Sequence, residues 1–186
     1  MKKFPGDKGE GTLLNKKKIQ KDNLIFEVLG DLDELNSFLG LTKNFIRDKK
    51  LRSWIVDVQK DIFQISAVLA GGPRKDFKKI IEKLDEKLEF CLKNIPVLKN
   101  FILSGASLTS STLDYSRSLC RRAERRVVGL NRKKKINPEI IVYLNHLSKF
   151  LFFFARLIEK KSGIRELEIR NFLYCPCSST DRTADS

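Results

Sequence analysis

The stretch Arg117 to Arg126 reads RSLCRRAERR; six of its ten residues are charged, and five of those are arginine. Arginine stays charged at any physiological pH and offers a planar fork of donors that matches phosphate oxygens, so a fixed row of them suits a polyanion. No Gly or Pro interrupts the stretch, and Leu, Arg, Ala and Glu all favour helix. At about 100° per residue, Arg117, Arg121, Glu124 and Arg125 fall in one broad stripe, while Arg122 and Arg126 point away from it. The helix therefore presents three guanidinium groups and one carboxylate. A solvated, salt-bridged face has the same composition; what favours chemistry is the company this stretch keeps.

A second group of residues lies in the N-terminal GDKGEGT. Gly6, Asp7, Gly9 and Thr12 can bring backbone N–H groups close to phosphate, and Lys21 adds a mobile positive charge. A plain flexible terminus would have the same composition. No Ser/His/Asp or Cys/His set suggests a side-chain nucleophile, and His146, the only histidine, reads as structural. Cys91 and Cys120 fall inside helical patterns as small apolar residues. Cys175 and Cys177 form a C-x-C pair with no second pair to complete a zinc site. The thiols read as reduced and the protein as cytoplasmic. The opening MKKFPGDKGEG has no apolar core, so it does not read as a secretory signal. The densest apolar run, Phe150 to Ala155, is too short to span a bilayer.

These groups need a scaffold. A chain of 186 residues with 41% hydrophobic and 32% charged residues is one globular domain. The net charge of +14 favours an anionic partner. Residues 1–23 read as a glycine-rich loop. Phe26, Leu29, Leu32, Leu35, Leu39 and Phe45 predict a helix from Leu24 to about Asp48, on the order of 37 Å long. Further helices are predicted from about Leu51 to Ala70, from Phe77 to Asn94, from about Ser107 to Leu130 and from Pro138 to Lys161. The segment FILSGAS at 101–107 reads as a connector, NRKKKINPE at 131–139 as a basic loop, and no alternating strand pattern competes. The predicted fold is all-α: an antiparallel bundle of long helices with one shorter helix, spanning 24–170. The tail 171–186 is expected to be disordered.

Three segments line up with a family: GDKGEGT followed by Lys21-Asp22, GDLDELNSFLG at 30–40, and FILSGAS…RSLCRRAERRVV…YLNHLSKFLFFFAR at 101–156. Together they resemble the propanediol-utilisation type of ATP:cob(I)alamin adenosyltransferase, and the resemblance covers nearly all of the chain up to about residue 170. It implies a helical bundle, usually a homotrimer, with ATP bound between subunits. Reduced corrinoid attacks the 5′ carbon of ATP, so adenosylcobalamin forms and triphosphate leaves. The cobalt is the nucleophile, which fits the lack of a side-chain nucleophile. Arg121 and Arg125 are then the choice for stabilising charge on the leaving triphosphate, and Arg117 extends the row. Glu124 either holds Mg²⁺ or fixes an arginine. Asp33 would pair with an arginine of the row, Arg121, across the subunit boundary. Asn145 matches an asparagine near nucleotide or corrinoid, and Phe101 and Phe152 match positions lining the corrinoid pocket. A reductase and a cobalamin-dependent acceptor enzyme are implied partners; nucleic acid and membrane are not.

The sequence departs from that pattern at several points. Phe4 and Pro5 stand where the family's opening loop has lysine and threonine. Ser104 and Ala106 replace Pro and Gly, Asp114 replaces a histidine, and Lys149 replaces an aspartate. Two other readings compete: a corrinoid- or nucleotide-binding bundle with weak catalysis, and a basic helical nucleic-acid-binding protein, for which Arg132 to Lys135 speak.

Overall fold

The computed structural model describes residue 4, residues 6–165 and residues 167–169; the expected tail, with Cys175 and Cys177, lies outside them. The chain runs β1 (Glu10–Thr12), β2 (Lys18–Gln20), α1 (Leu24–Thr42), α2 (Lys49–Leu69), α3 (Lys78–Asn94), β3 (Phe101–Leu103), α4 (Leu108–Lys133), α5 (Pro138–Lys161) and β4 (Leu167–Ile169). Helices dominate, as the apolar spacing predicts.

Side chains at the helix starts set the bounds. Asn23 Oδ1 accepts from Ile25 N at 3.2 Å, and Asn137 Oδ1 accepts from Glu139 N at 2.9 Å with Pro138 in the first turn. Ser107 and Ser110 form a reciprocal capping box on α4. Asp48 corrects the first helix: its Oδ1 accepts from Lys50 N and Leu51 N, at 2.9 and 3.1 Å, so it begins α2. The chain leaves α1 at Thr42 through a 3₁₀ turn over Lys43–Phe45, so α1 is about 28 Å long. Helix α4 runs on to Lys133, and the basic connection is shorter than expected.

Two small antiparallel strand pairs, one of them a hairpin, form where loops are predicted. Strand β1 pairs with β2 in the N-terminal segment, Gly11 opposite Ile19. Strand β3 pairs with β4, Phe101 opposite Ile169, so the FILSGAS connector meets the chain beyond α5.

Helix α5 packs against α4 and α3, and α1 against α4 and α2. Trp54 of α2 meets Phe150 and Phe154 of α5, with ring centroids 6.2 and 5.7 Å apart, and this closes the core. By length and mean hydropathy α5 could cross a bilayer, but most of its apolar window is buried inside the bundle. Its apolarity is that of a core helix.

Candidate functional site

Helix α4 carries arginine on two faces, and α1 decides between them. Glu27, Asp31 and Glu34 are spaced 4 and 3 along α1 and meet Arg126 and Arg122, spaced 4, on the antiparallel α4. Arg126 Nη1 donates to Glu27 Oε2 at 2.6 Å and to Asp31 Oδ1 at 3.1 Å. Arg122 Nε lies 3.2 Å from Asp31 Oδ1, and its Nη2 donates to Glu34. Asp31 is only 5% exposed, so the two guanidiniums supply the charge that its burial requires. This ladder fixes the rotation of α4 and leaves Arg117, Arg121 and Arg125 on the outer side, as the 100° spacing predicts. Arg121 and Arg125 are exposed; Arg117 and Glu124 are partly buried. None of these four forms an ion pair among the described residues. Burial, and then the neighbouring charge of Arg121, lowers the Arg117 pKa from its usual value, without discharging it at neutral pH.

Along α5 the register with α4 is set by three contacts. Asp114 pairs with Arg156 at 2.8 Å, Arg117 lies 5.4 Å from the Phe152 ring centroid, and Cys120 Sγ donates to Leu144 O at 3.3 Å. Asn145 is partly buried and Lys149 exposed. A cavity of about 650 Å³ opens at the Arg117 end. Phe101, Phe152, Phe153, Asp114 and Arg117 all line it, so the two phenylalanines singled out in the sequence do share one wall system. His146 turns away: its Nδ1 lies 2.7 Å from Asp85 Oδ1 on α3. Burial raises the Cys120 thiol well above its ordinary value and pushes Cys91 up to about 12, so both are inert thiols at neutral pH.

The N-terminal group is built separately. Gly6 and Gly9 have φ of +96° and +76°, a conformation glycine adopts at no steric cost. Asp7 Oδ2 accepts from Phe4 N at 2.8 Å, closing the turn. Lys21 is not the free charge expected: its Nζ donates to Gly6 O at 3.0 Å, and so ties the loop to the end of β2. A Cβ at Gly11 would fall 2.3 Å from the Phe26 ring, so the hairpin lies flat on α1. Thr12 ends β1. The hairpin lies where α1 begins and α4 ends, where Leu13, Lys17, Lys133 and Lys134 share a cavity. No hydrogen bond or ion pair among the described residues joins this group to the arginine row. Asp33 is exposed on α1 and has no such partner among the described residues.

Sequence reasoning passed over Asp31, Arg156 and Glu159. For Asp31 a signal was present: carboxylates at 27, 31 and 34 repeat the spacing of Arg122 and Arg126. Among the described residues no cluster of three or more His, Cys, Asp or Glu forms a metal cage. Glu124 stands as one carboxylate beside the arginines, which fits a Mg²⁺ held mainly by ligand phosphates.

A helical bundle that sets a row of unpaired guanidiniums beside an aromatic cavity is built to hold a polyanion next to a bulky apolar-faced ligand. Comparison with known proteins gives this class a family. The cobalamin adenosyltransferase family model matches residues 3–158, and the chain belongs to that family. The corrinoid adenosyltransferase of Bacillus subtilis is 36% identical over 171 residues, covering 88% of each chain. A PduO corrinoid adenosyltransferase of Citrobacter freundii is 32% identical over 158 residues, 81% of this chain and 47% of that protein. Among solved structures, a variant PduO-type ATP:corrinoid adenosyltransferase from Lactobacillus reuteri, complexed with cobalamin and ATP, superposes with a TM-score of 0.85. It is 29% identical, over 90% of this chain and 95% of that one.

Proposed function

We propose that this protein is an ATP:corrinoid adenosyltransferase that moves the 5′-deoxyadenosyl group of ATP onto the cobalt of cob(I)alamin. The observation that carries this reading is the outward row of Arg117, Arg121 and Arg125, without an ion pair among the described residues and running into the cavity walled by Phe101 and Phe152. Cobalt(I) supplies the electron pair of the new Co–C bond. The C5′–O bond breaks, and its electron pair leaves on triphosphate. Arg121 and Arg125 stabilise the charge that grows there. Asn145, partly buried on α5, orients the nucleotide. Glu124 would hold a Mg²⁺ ion brought by the phosphates, and the ion would add positive charge beside the leaving triphosphate.

The N-terminal loop and Asp33 have no tie to the row within one chain, which supports a site completed by a neighbouring subunit. Gly6, Asp7, Gly9, Thr12 and Lys21 then belong to the phosphate side of a homotrimer, and Asp33 pairs with Arg121 across the boundary. Light scattering should report about three times the chain mass of 21.5 kDa. A monomer at micromolar concentration would remove the intersubunit site. The inert buried thiols fit a reducing, cytoplasmic setting, where a reductase supplies cobalt(I) and an acceptor enzyme takes the product. Anaerobic incubation with chemically reduced cobalamin, ATP and Mg²⁺ should yield adenosylcobalamin and triphosphate in equal amounts. Binding of both substrates without conversion would reduce the protein to a carrier.

A further inference from the structure

Behind the aromatic cavity lies a set of charges that the reaction does not itself require. Arg156 is 3% exposed, Glu159 1% and Asp114 8%. Arg156 Nη2 donates to Asp114 Oδ2 at 2.8 Å, and Arg156 Nε lies 3.2 Å from Glu159 Oε2. The Arg156 guanidinium carbon is 5.1 Å from the centroid of the Phe152 ring, which also has Arg117 at 5.4 Å. Phe152, Arg156 and Glu159 follow one another at spacings of 4 and 3, so they share a face of α5. Two guanidiniums thus face one ring of the cavity wall, and Asp114 and Glu159 stand beside one of them.

We propose that Asp114, Arg156 and Glu159 form a positioning device for the Phe152 ring, and through it for the corrinoid; this rests on the adenosyltransferase reading. A guanidinium on a flexible stem can adopt many planes. The Asp114 hydrogen bond at Nη2, with the Glu159 carboxylate beside Nε, narrows the choice, and attraction to the ring quadrupole then holds the ring. Without the Asp114 charge, Arg156 keeps Glu159, one turn along its own helix, and is drawn toward it. The ring loses its fixed cation and the cavity wall its shape. Asp114 acts through Arg156 and Phe152, so it is a positioning residue.

The test is a double-mutant cycle with two readouts: the KM for cob(I)alamin in turnover, and the Kd for cob(II)alamin by titration calorimetry without turnover. Asp114→Asn should raise both about tenfold and leave the KM for ATP within about twofold. Glu159→Gln, whose side chain lines neither this cavity nor its neighbours, should shift both in the same direction. Asp114→Glu should restore most of the loss. In the Phe152→Leu background, Asp114→Asn should add nothing, because the ring through which it acts is gone. Additive effects in the double variant would overturn the proposal. So would a rise in the ATP and corrinoid constants together in step with a fall in Tm. A wild-type protein that shows the coupling in Kd yet forms no adenosylcobalamin would refute the adenosyltransferase reading and leave the device standing. One that neither binds corrinoid nor turns over would overturn both.

Discussion

The two arginine faces of α4 carry the same residue a quarter-turn or so apart, yet they differ in everything that matters to function. Arg122 and Arg126 meet three carboxylates of α1, one of them buried, and their charge is used up inside the chain. Arg117, Arg121 and Arg125 form no ion pair among the described residues, and their charge remains for a ligand. A count of arginines cannot separate a structural face from a binding face. What separates them is whether the neighbouring helix supplies carboxylates at matching spacing.

The strongest way to break this comparison is to remove one arginine from each face. Arg121→Ala and Arg125→Ala should lower adenosylcobalamin formation by roughly 10²–10⁴, the loss of about 3–6 kcal/mol of charge-assisted hydrogen bonding in the transition state. Their thermal melting should barely move, because alanine favours helix and neither side chain is buried. Equal damage from Arg126→Ala in turnover would erase the distinction.

On the inner face the damage should appear in stability. Arg126→Ala leaves Asp31 with Arg122 alone. A loss of about 1–3 kcal/mol is expected, below the figure for a fully buried pair because the arginine ends are 38% and 39% exposed. That corresponds to a Tm lower by roughly 3–10 °C in a chain of this size, with turnover well below Tm within about threefold of wild type. Differential scanning calorimetry beside the activity assay reads both.

Ionic strength sharpens the contrast with smaller effects. Raising NaCl from about 50 to 500 mM should increase the KM for ATP several-fold, because the outer row is exposed to screening. The Tm gap between wild type and Arg126→Ala should shrink much less, since Asp31 is buried. The smallest effect concerns the opening turn, where Phe4 is exposed and contributes only backbone groups, its N–H to the Asp7 carboxylate and its carbonyl to Asp7 N–H. Replacing Phe4-Pro5 by Lys-Thr should lower the KM for ATP by roughly threefold, about one exposed ionic contact. An unchanged or higher value would mean that the turn does not grip phosphate.

The helices were legible in the sequence because their apolar spacing and caps agree. Pro138 and Asn137 mark the start of α5, and the long apolar face of that helix announces its central place. The first helix was read too long because Phe45 continues the apolar spacing, while the cap at Asp48 outweighs it. The strand pairs were not legible, since three-residue strands leave no alternation to read and Phe101 pairs with Ile169 across two long helices. The outer arginine row followed from spacing alone. The choice among carboxylates did not: Asp31 and Asp33 differ by two residues in sequence, and only the packing of α1 on α4 buries one and exposes the other. Asp114 looked like a mere departure from a family histidine, and its meaning emerged with Arg156, forty-odd positions away.

The β3–β4 pairing has a kinetic side. Three residues a strand, with Phe101, Leu103 and Leu167 more than half exposed, make a unit that can open by itself at a free energy far below that of the bundle. Amide hydrogens at Ile102 and Glu168 should therefore exchange with solvent far faster than those at Leu151 or Phe154. The rim of the aromatic cavity would then breathe on a schedule set by a short ladder, and substitutions that weaken the bundle as a whole would leave that schedule almost untouched.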